Sequence, residues 1–249
     1  MTFKMNSPQG KCILAMVREG DFAHPGEEPA IVDAVAGLPK DKINQVLDIG
    51  CGRGGTANWF HTHGWGKVVG IDIDETSINY AKRQYPDVSF FSQDVLSLSV
   101  LHSTMEWGHF DLIYLFNVFY ALNNQAAVLK TLRKQCAVGA HLLICDYTLS
   151  KTQTLPMSLG EEIGQPIAMN TIEQWLPEAH WQLDRFEDWT EKYINAYVSF
   201  IEKLKSKQAA IVQLFDEAWY QYVFTWYQTL LHELQAGNIG GGKFMIKAI

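Results

Sequence analysis

Between Val46 and Gly55 the chain reads Val-Leu-Asp-Ile-Gly-Cys-Gly-Arg-Gly-Gly, an apolar run entering a glycine turn with a carboxylate, Asp48, just ahead of the first glycine. Glycines at 50, 52 and 54 let the backbone bend tightly and let an extended ligand lie on bare main chain, because no Cβ intervenes. Gly50-x-Gly52-x-x-Gly55 also has the spacing of a dinucleotide phosphate loop. Asp48 argues against that use, since a carboxylate two residues upstream repels a pyrophosphate seated on the following helix. A cationic ligand would be attracted instead. Two more acids end apolar runs further on: Asp72 closes Lys67-Val68-Val69-Gly70-Ile71-Asp72, and Asp94 closes the run that begins at Val88. Either acid alone would read as a turn carboxylate capping the next helix. Three together, at three successive strand ends, describe a binding rim.

Positioning that rim takes an alternation of strands and helices. Strands are expected near 46–49, 67–72, 88–94, 110–116 and 142–146, with helices near 56–63, 75–84 and 125–135 between them. This rhythm predicts an α/β fold, a Rossmann-like, mostly parallel sheet of seven strands with helices on both faces. A helix over 31–35 stops at Gly37-Leu38-Pro39, leaving residues 1–30 as an N-terminal arm. After a helix near 171–178, a sixth strand over Trp181–Asp188 and a last strand over 243–249 bracket a helical insertion, 190–237. There Tyr193, Ile194, Tyr197, Val198, Ile201 and Leu204 form one apolar stripe. A second, from Ile211 through Trp219, Trp226 and Leu234, reads as a single helix of six turns ended by Gly237. These helices are expected to cap the sheet as part of one domain spanning 1–249, most of their aromatics serving as core.

The glycine turn with its three acids resembles the first motifs of the class I S-adenosylmethionine-dependent methyltransferases. The resemblance implies that Asp48, Gly50, Cys51, Gly52 and Gly54 wrap the methionine part of the cofactor, that Asp72 with Ile73 binds the ribose, that Asp94 with Val95 meets the adenine, and that Asn117 makes a further polar contact. Weaker matches, Phe110–Tyr114, Leu143–Tyr147, Glu187–Tyr193 and Gly242–Ala248, resemble small-molecule N-methyltransferases of the phosphoethanolamine and sarcosine/dimethylglycine type. The histidine expected after the fourth strand in the phosphoethanolamine enzymes is replaced by Ala121, beside Tyr120. The catalytic candidates are therefore Tyr120, just past that strand, and His24, in the arm that closes over the cofactor in this family. The implied reaction is methyl transfer to a small molecule at an amine nitrogen. Transfer to oxygen or carbon, a cofactor-binding module without turnover, and an NAD-dependent oxidoreductase are the competing readings.

Composition narrows the partners. A net charge of −7 over 249 residues and a pI near 5.6, with lysines grouped only at 203, 205 and 207, do not suit a nucleic acid. No apolar run approaches the roughly 20 residues that span a bilayer. Cys12, Cys51, Cys136 and Cys145 lack paired spacing, and His61-x-His63 on a helix does not share a face, so no metal is expected. A reducing cytoplasm is the expected setting, with a small-molecule acceptor as partner and room for a homodimer.

Overall fold

A computed structural model describes residues 3–98, 107–149 and 155–249. Its sheet holds seven strands, β1 (Gln45–Ile49), β2 (Lys67–Asp72), β3 (Ser89–Ser92), β4 (Phe110–Phe116), β5 (Cys136–Leu149), β6 (Trp181–Asp188) and β7 (Ile239–Ala248), in the order β3-β2-β1-β4-β5-β7-β6. β1 to β5 pair in parallel, and β7 runs antiparallel between β5 and β6. The chain moves outward from β1 to β3, then returns to lay β4 against the other side of β1. That reversal opens a crevice beyond the carboxyl ends of β1 and β4, where open α/β sheets take their ligands.

Nine α-helices cover the sheet among the described residues: α1 (Pro8–Arg18), α2 (Glu27–Val35), α3 (Gly55–Thr62), α4 (Glu75–Gln84), α5 (Gln125–Arg133), α6 (Met169–Glu178), α7 (Thr190–Ser206), α8 (Gln208–Leu214) and α9 (Glu217–Gln235). The central strands are apolar almost continuously because both faces are buried. Val46, Val68, Leu112, Tyr114 and Leu143 face α1–α4 and α7–α9, while Leu47, Val69, Ile113, Leu142 and Ile144 face α5 and α6. A run of glycines in β7 lets the cap sit low. A Cβ on Gly241 would stand 2.7 Å from the Tyr193 ring, so only glycine allows α7 to press on the strand.

Five elements differ from the sequence expectation. The stripe from Ile211 to Leu234 is two helices, because Asp216 leaves helical geometry and its carboxylate accepts from Trp219 N–H at 2.8 Å, starting α9 afresh. β5 and β7 both run longer than expected, since each extends the other's antiparallel ladder out to Leu149 and Ile239. β3 stops at Ser92, and Asp94 belongs to the turn that follows. The arm contains a full helix, α1, opened by Pro8 behind a Ser7 hydroxyl that accepts from Gly10 N–H. His63 is exposed, with its ring stacked on Trp59 at 4.1 Å.

Candidate active site

The glycine turn lies directly beyond β1. Gly50 and Cys51 donate their N–H groups to Ile71 O at 2.8 and 3.0 Å, tying the turn to β2. Gly50 has φ of 71°, and a Cβ there would meet Val118 Cγ2 at 2.2 Å, so this turn is pressed against the one that follows β4. Cys51 is buried with its sulfur over Gly70. In front of Gly52 there is open space, with nothing within 4 Å of where a Cβ would stand. The two oxygens of Asp72 brace the loop: Oδ2 accepts from Gly52 N–H at 2.9 Å and Oδ1 from Asp74 N–H at 2.8 Å. Gln93 N–H donates to Asp72 O at 2.9 Å, bringing the end of β3 to the same rim. There Asp94 is exposed and accepts from Leu96 N–H at 2.8 Å, Val95 is buried, and Ile73 stands 73% exposed.

Asp48 lies below this rim and is buried. It is the register partner of Tyr114 on β4, and Asp48 Oδ2 and Tyr114 Oη are both enclosed without a partner of proper hydrogen-bond geometry. Burial pushes its carboxyl up to about 8, the Tyr114 hydroxyl opposes that rise, and the Asp72 charge adds to it. Asp48 is thus protonated at neutral pH until a positive charge arrives.

The turn after β4 is held by a second buried acid. Asp146, fully enclosed near the end of β5, accepts from Tyr147 N–H at 2.7 Å and Tyr120 N–H at 3.1 Å. Burial lifts its carboxyl to about 7 against the pull of the backbone N–H groups of Tyr147, Tyr120, Phe119 and Val118. This clasp sets Asn117, whose φ of 51° is one that asparagine tolerates better than most residues. Asn117 Oδ1 accepts from the Tyr193 hydroxyl at 3.0 Å, and its Nδ2 is buried without a partner. Tyr120 packs edge-on to Tyr147 at 5.1 Å, and the chain of rings continues through Tyr193, Tyr197 and Tyr227, with the Tyr147 and Tyr197 hydroxyls bonded to each other. Burial raises each of these phenols, so all stay neutral.

His24 reaches the same region from the arm. Its ring lies 5.0 Å from Phe116 at the end of β4, and Nε2 is 3.1 Å from Thr56 Oγ1 at the start of α3. Burial, then the charge of Arg18, drives its pKa down to about 3 against the Pro25 carbonyl, which keeps the imidazole neutral. The arm is latched by Asp21, which pairs with Arg53 at 2.7 Å and accepts from the Tyr80 and Tyr85 hydroxyls. The structure therefore gathers Gly50–Gly54, Asp72 and Asn117 at the crevice, with Asp94 and Ile73 at its outer rim, Asp48 beneath it, and Tyr120 and His24 at its inner end. No group of three metal-ligating side chains occurs among the described residues.

Comparison with known proteins gives this geometry a family. A family model described as a methyltransferase domain matches residues 25–195, which is more than half of the chain. The chain belongs to that family, as a methyltransferase of class I fold. Among its relatives, trans-aconitate 2-methyltransferase of Escherichia fergusonii is 30% identical over 103 residues, 36% of this chain and 40% of that protein. The chain thus spans about two-fifths of the length of that relative. A phosphoethanolamine N-methyltransferase of Haemonchus contortus, solved with phosphomonomethylethanolamine and S-adenosylhomocysteine, superposes with a TM-score of 0.83 at 16% identity over 98% of this chain and 58% of that one. The cyclopropane synthase MmaA2 of Mycobacterium tuberculosis gives 0.79 at 16% identity, covering 97% and 94%. At such identities the likeness is one of fold.

Three features of this methyltransferase site were not singled out in the sequence. The clasp of Asp146 on the turn after β4 depends on a fold contact. The tyrosines of α7 and α9 read as helix core, because a stripe does not reveal that their hydroxyls converge. Arg18 is a single basic residue in the last turn of α1, a common place for one, and only the fold shows it to be buried.

Proposed function

We propose that the protein transfers the methyl group of S-adenosylmethionine to a small molecule at an amine nitrogen, inside the tyrosine-lined chamber beyond β4 and β5. The residues fit the donor. The open face at Gly52 offers room for the amino acid part and the free lone pairs of Asp72 suit two ribose hydroxyls. Ile73 and Val95 offer apolar surface to a flat base beside Asp94, and the unpartnered Asn117 Nδ2 awaits an acceptor atom. When bound, the donor supplies a methyl group already activated by its sulfonium charge.

What the chain then contributes is placement and enclosure. The observation that carries the amine reading is the run of ring faces from Tyr120 to Tyr227, whose electron-rich surfaces favour the cation that an alkylated amine becomes. Tyr120, a phenol held neutral, orients the acceptor nitrogen through its hydroxyl, and neutral His24 lines the chamber from the arm. The test is incubation with methyl-labelled donor and a panel of amines, carboxylic acids and phenols. Label in the amines supports the reading; label only in carboxylates or phenols, or tight donor binding with no transfer at all, refutes it.

A further inference from the structure

The guanidinium of Arg18 is an anomaly. The residue is 5% exposed, its Nε and Nη1 have no hydrogen-bond partner, and no ion pair among the described residues includes it. Its surroundings are aromatic: the Phe200 ring centroid lies 5.1 Å from Cζ, and the Tyr227 hydroxyl sits beside it. The acids that act on the same tyrosines, Glu162 and Asp146, make hydrogen bonds to other groups and none to Arg18. Glu162 accepts from the Tyr222 hydroxyl and from Met5 N–H, and Asp146 is bound up by backbone N–H groups of the turn it clasps. Lys243, the other buried cation among the described residues, is satisfied by Asp33 O at 3.0 Å and Glu187 at 3.4 Å. A buried charge left uncompensated is strongly destabilising, and a fold keeps one where a ligand of opposite sign supplies the missing partner.

Resting on the reading that the tyrosine chamber receives the acceptor, we infer that the acceptor carries a carboxylate and that Arg18 is the group that binds it. Arg18 is hydrogen-bonded to the Tyr227 hydroxyl, its charge opposes the rise of the Tyr197 and Tyr227 phenols, and it depresses His24 on the arm side. It therefore stands between the closing arm and the rings where the acceptor would lie. One guanidinium with unused donors matches a monoanion, and the other buried cation among the described residues, Lys243, is already paired and so not free to balance a phosphate dianion. The acceptor's ionic end is then fixed by the arm and its other end by the tyrosines, so an acceptor without the acid group would bind in no set orientation.

The experiment uses the full chain saturated with S-adenosylhomocysteine and reads binding rather than turnover. Acetate, sarcosine and benzoate are titrated by calorimetry against their primary amides, with inorganic phosphate as the rival anion. At least one acid binds about tenfold or more tighter than its amide in the native protein. In Arg18→Gln the acid and amide differ by about twofold or less, while Arg18→Lys keeps part of the preference. Arg18→Met removes the uncompensated charge, and the unfolding midpoint of the ligand-free protein rises by a few degrees. The inference falls if amides bind as well as acids, if phosphate binds better than every carboxylate, if the preference survives Arg18→Gln, or if Arg18→Met lowers the midpoint. If sarcosine binds through Arg18 but, with methyl-labelled S-adenosylmethionine in place of the product cofactor, neither it nor any other amine takes label, the amine reading falls and the role of Arg18 stands.

Discussion

At the scale of single residues, Asp72 and Asp48 make opposite uses of a carboxylate. Asp72 holds the glycine loop, and on the proposal that its remaining lone pairs take the ribose, Asp72→Ala weakens S-adenosylmethionine binding by roughly 1.5 to 3 kcal/mol for each charged hydrogen bond lost, read by calorimetry. Asp48 is raised to about 8 in the folded protein, above its ordinary value of 3.8. A raised carboxyl contributes stability that is complete below the unfolded value and is lost as pH climbs through the folded one. The ligand-free protein therefore loses stability between about pH 4 and 8, and Asp48→Asn flattens that slope in denaturant titrations across the range. A sulfonium ion nearby favours the ionised form, so donor affinity of the native protein rises with pH toward 8 while that of Asp48→Asn does not. Tyr120→Phe keeps the ring and loses the hydroxyl that orients the acceptor, lowering kcat/KM by about tenfold with donor affinity unchanged.

Among the elements, the cap helices depend on two local devices. Asp216 starts α9 by capping Trp219 N–H, and Asp216→Ala costs about 1 kcal/mol of stability, read as a shift in denaturant midpoint. Gly241→Ala sets a methyl 2.7 Å from the Tyr193 ring. Relieving that contact costs about 1 to 3 kcal/mol and displaces α7, so acceptor binding falls together with the midpoint. These devices also mark where sequence reading succeeds and where it stops. The strands β2, β4 and β6 and the helix α4 were legible to the residue, because a local strand or helix pattern bounded by turn or cap residues needs no tertiary context. The break at Asp216 was not legible, since the apolar stripe continues across it in phase and only the backbone reveals the new cap. The extension of β5 was hidden for a related reason: its last residues pair with glycines of β7, which carry no strand signal of their own.

For the whole molecule, the reversal of strand order at β1 brings together parts of the chain that are far apart in sequence. The proposed donor half of the site, Gly50 to Asp94, could be nominated from the sequence because each piece is a short motif at a strand end. The proposed acceptor side was not, because Arg18, Asp146 and Tyr197 come from three separate elements and are brought together only in the folded chain. Among the described residues no helix is long and apolar enough to cross a membrane. The claim on which the rest depends is that the crevice beyond β1, β2 and β3 holds a methyl donor. A crystal structure of the complex with S-adenosylhomocysteine tests it most directly. The account predicts the ribose on Asp72, the adenine against Ile73 and the sulfur turned toward the tyrosine chamber; a nicotinamide dinucleotide displacing it from the glycine turn, or density for the ligand anywhere else, would contradict it.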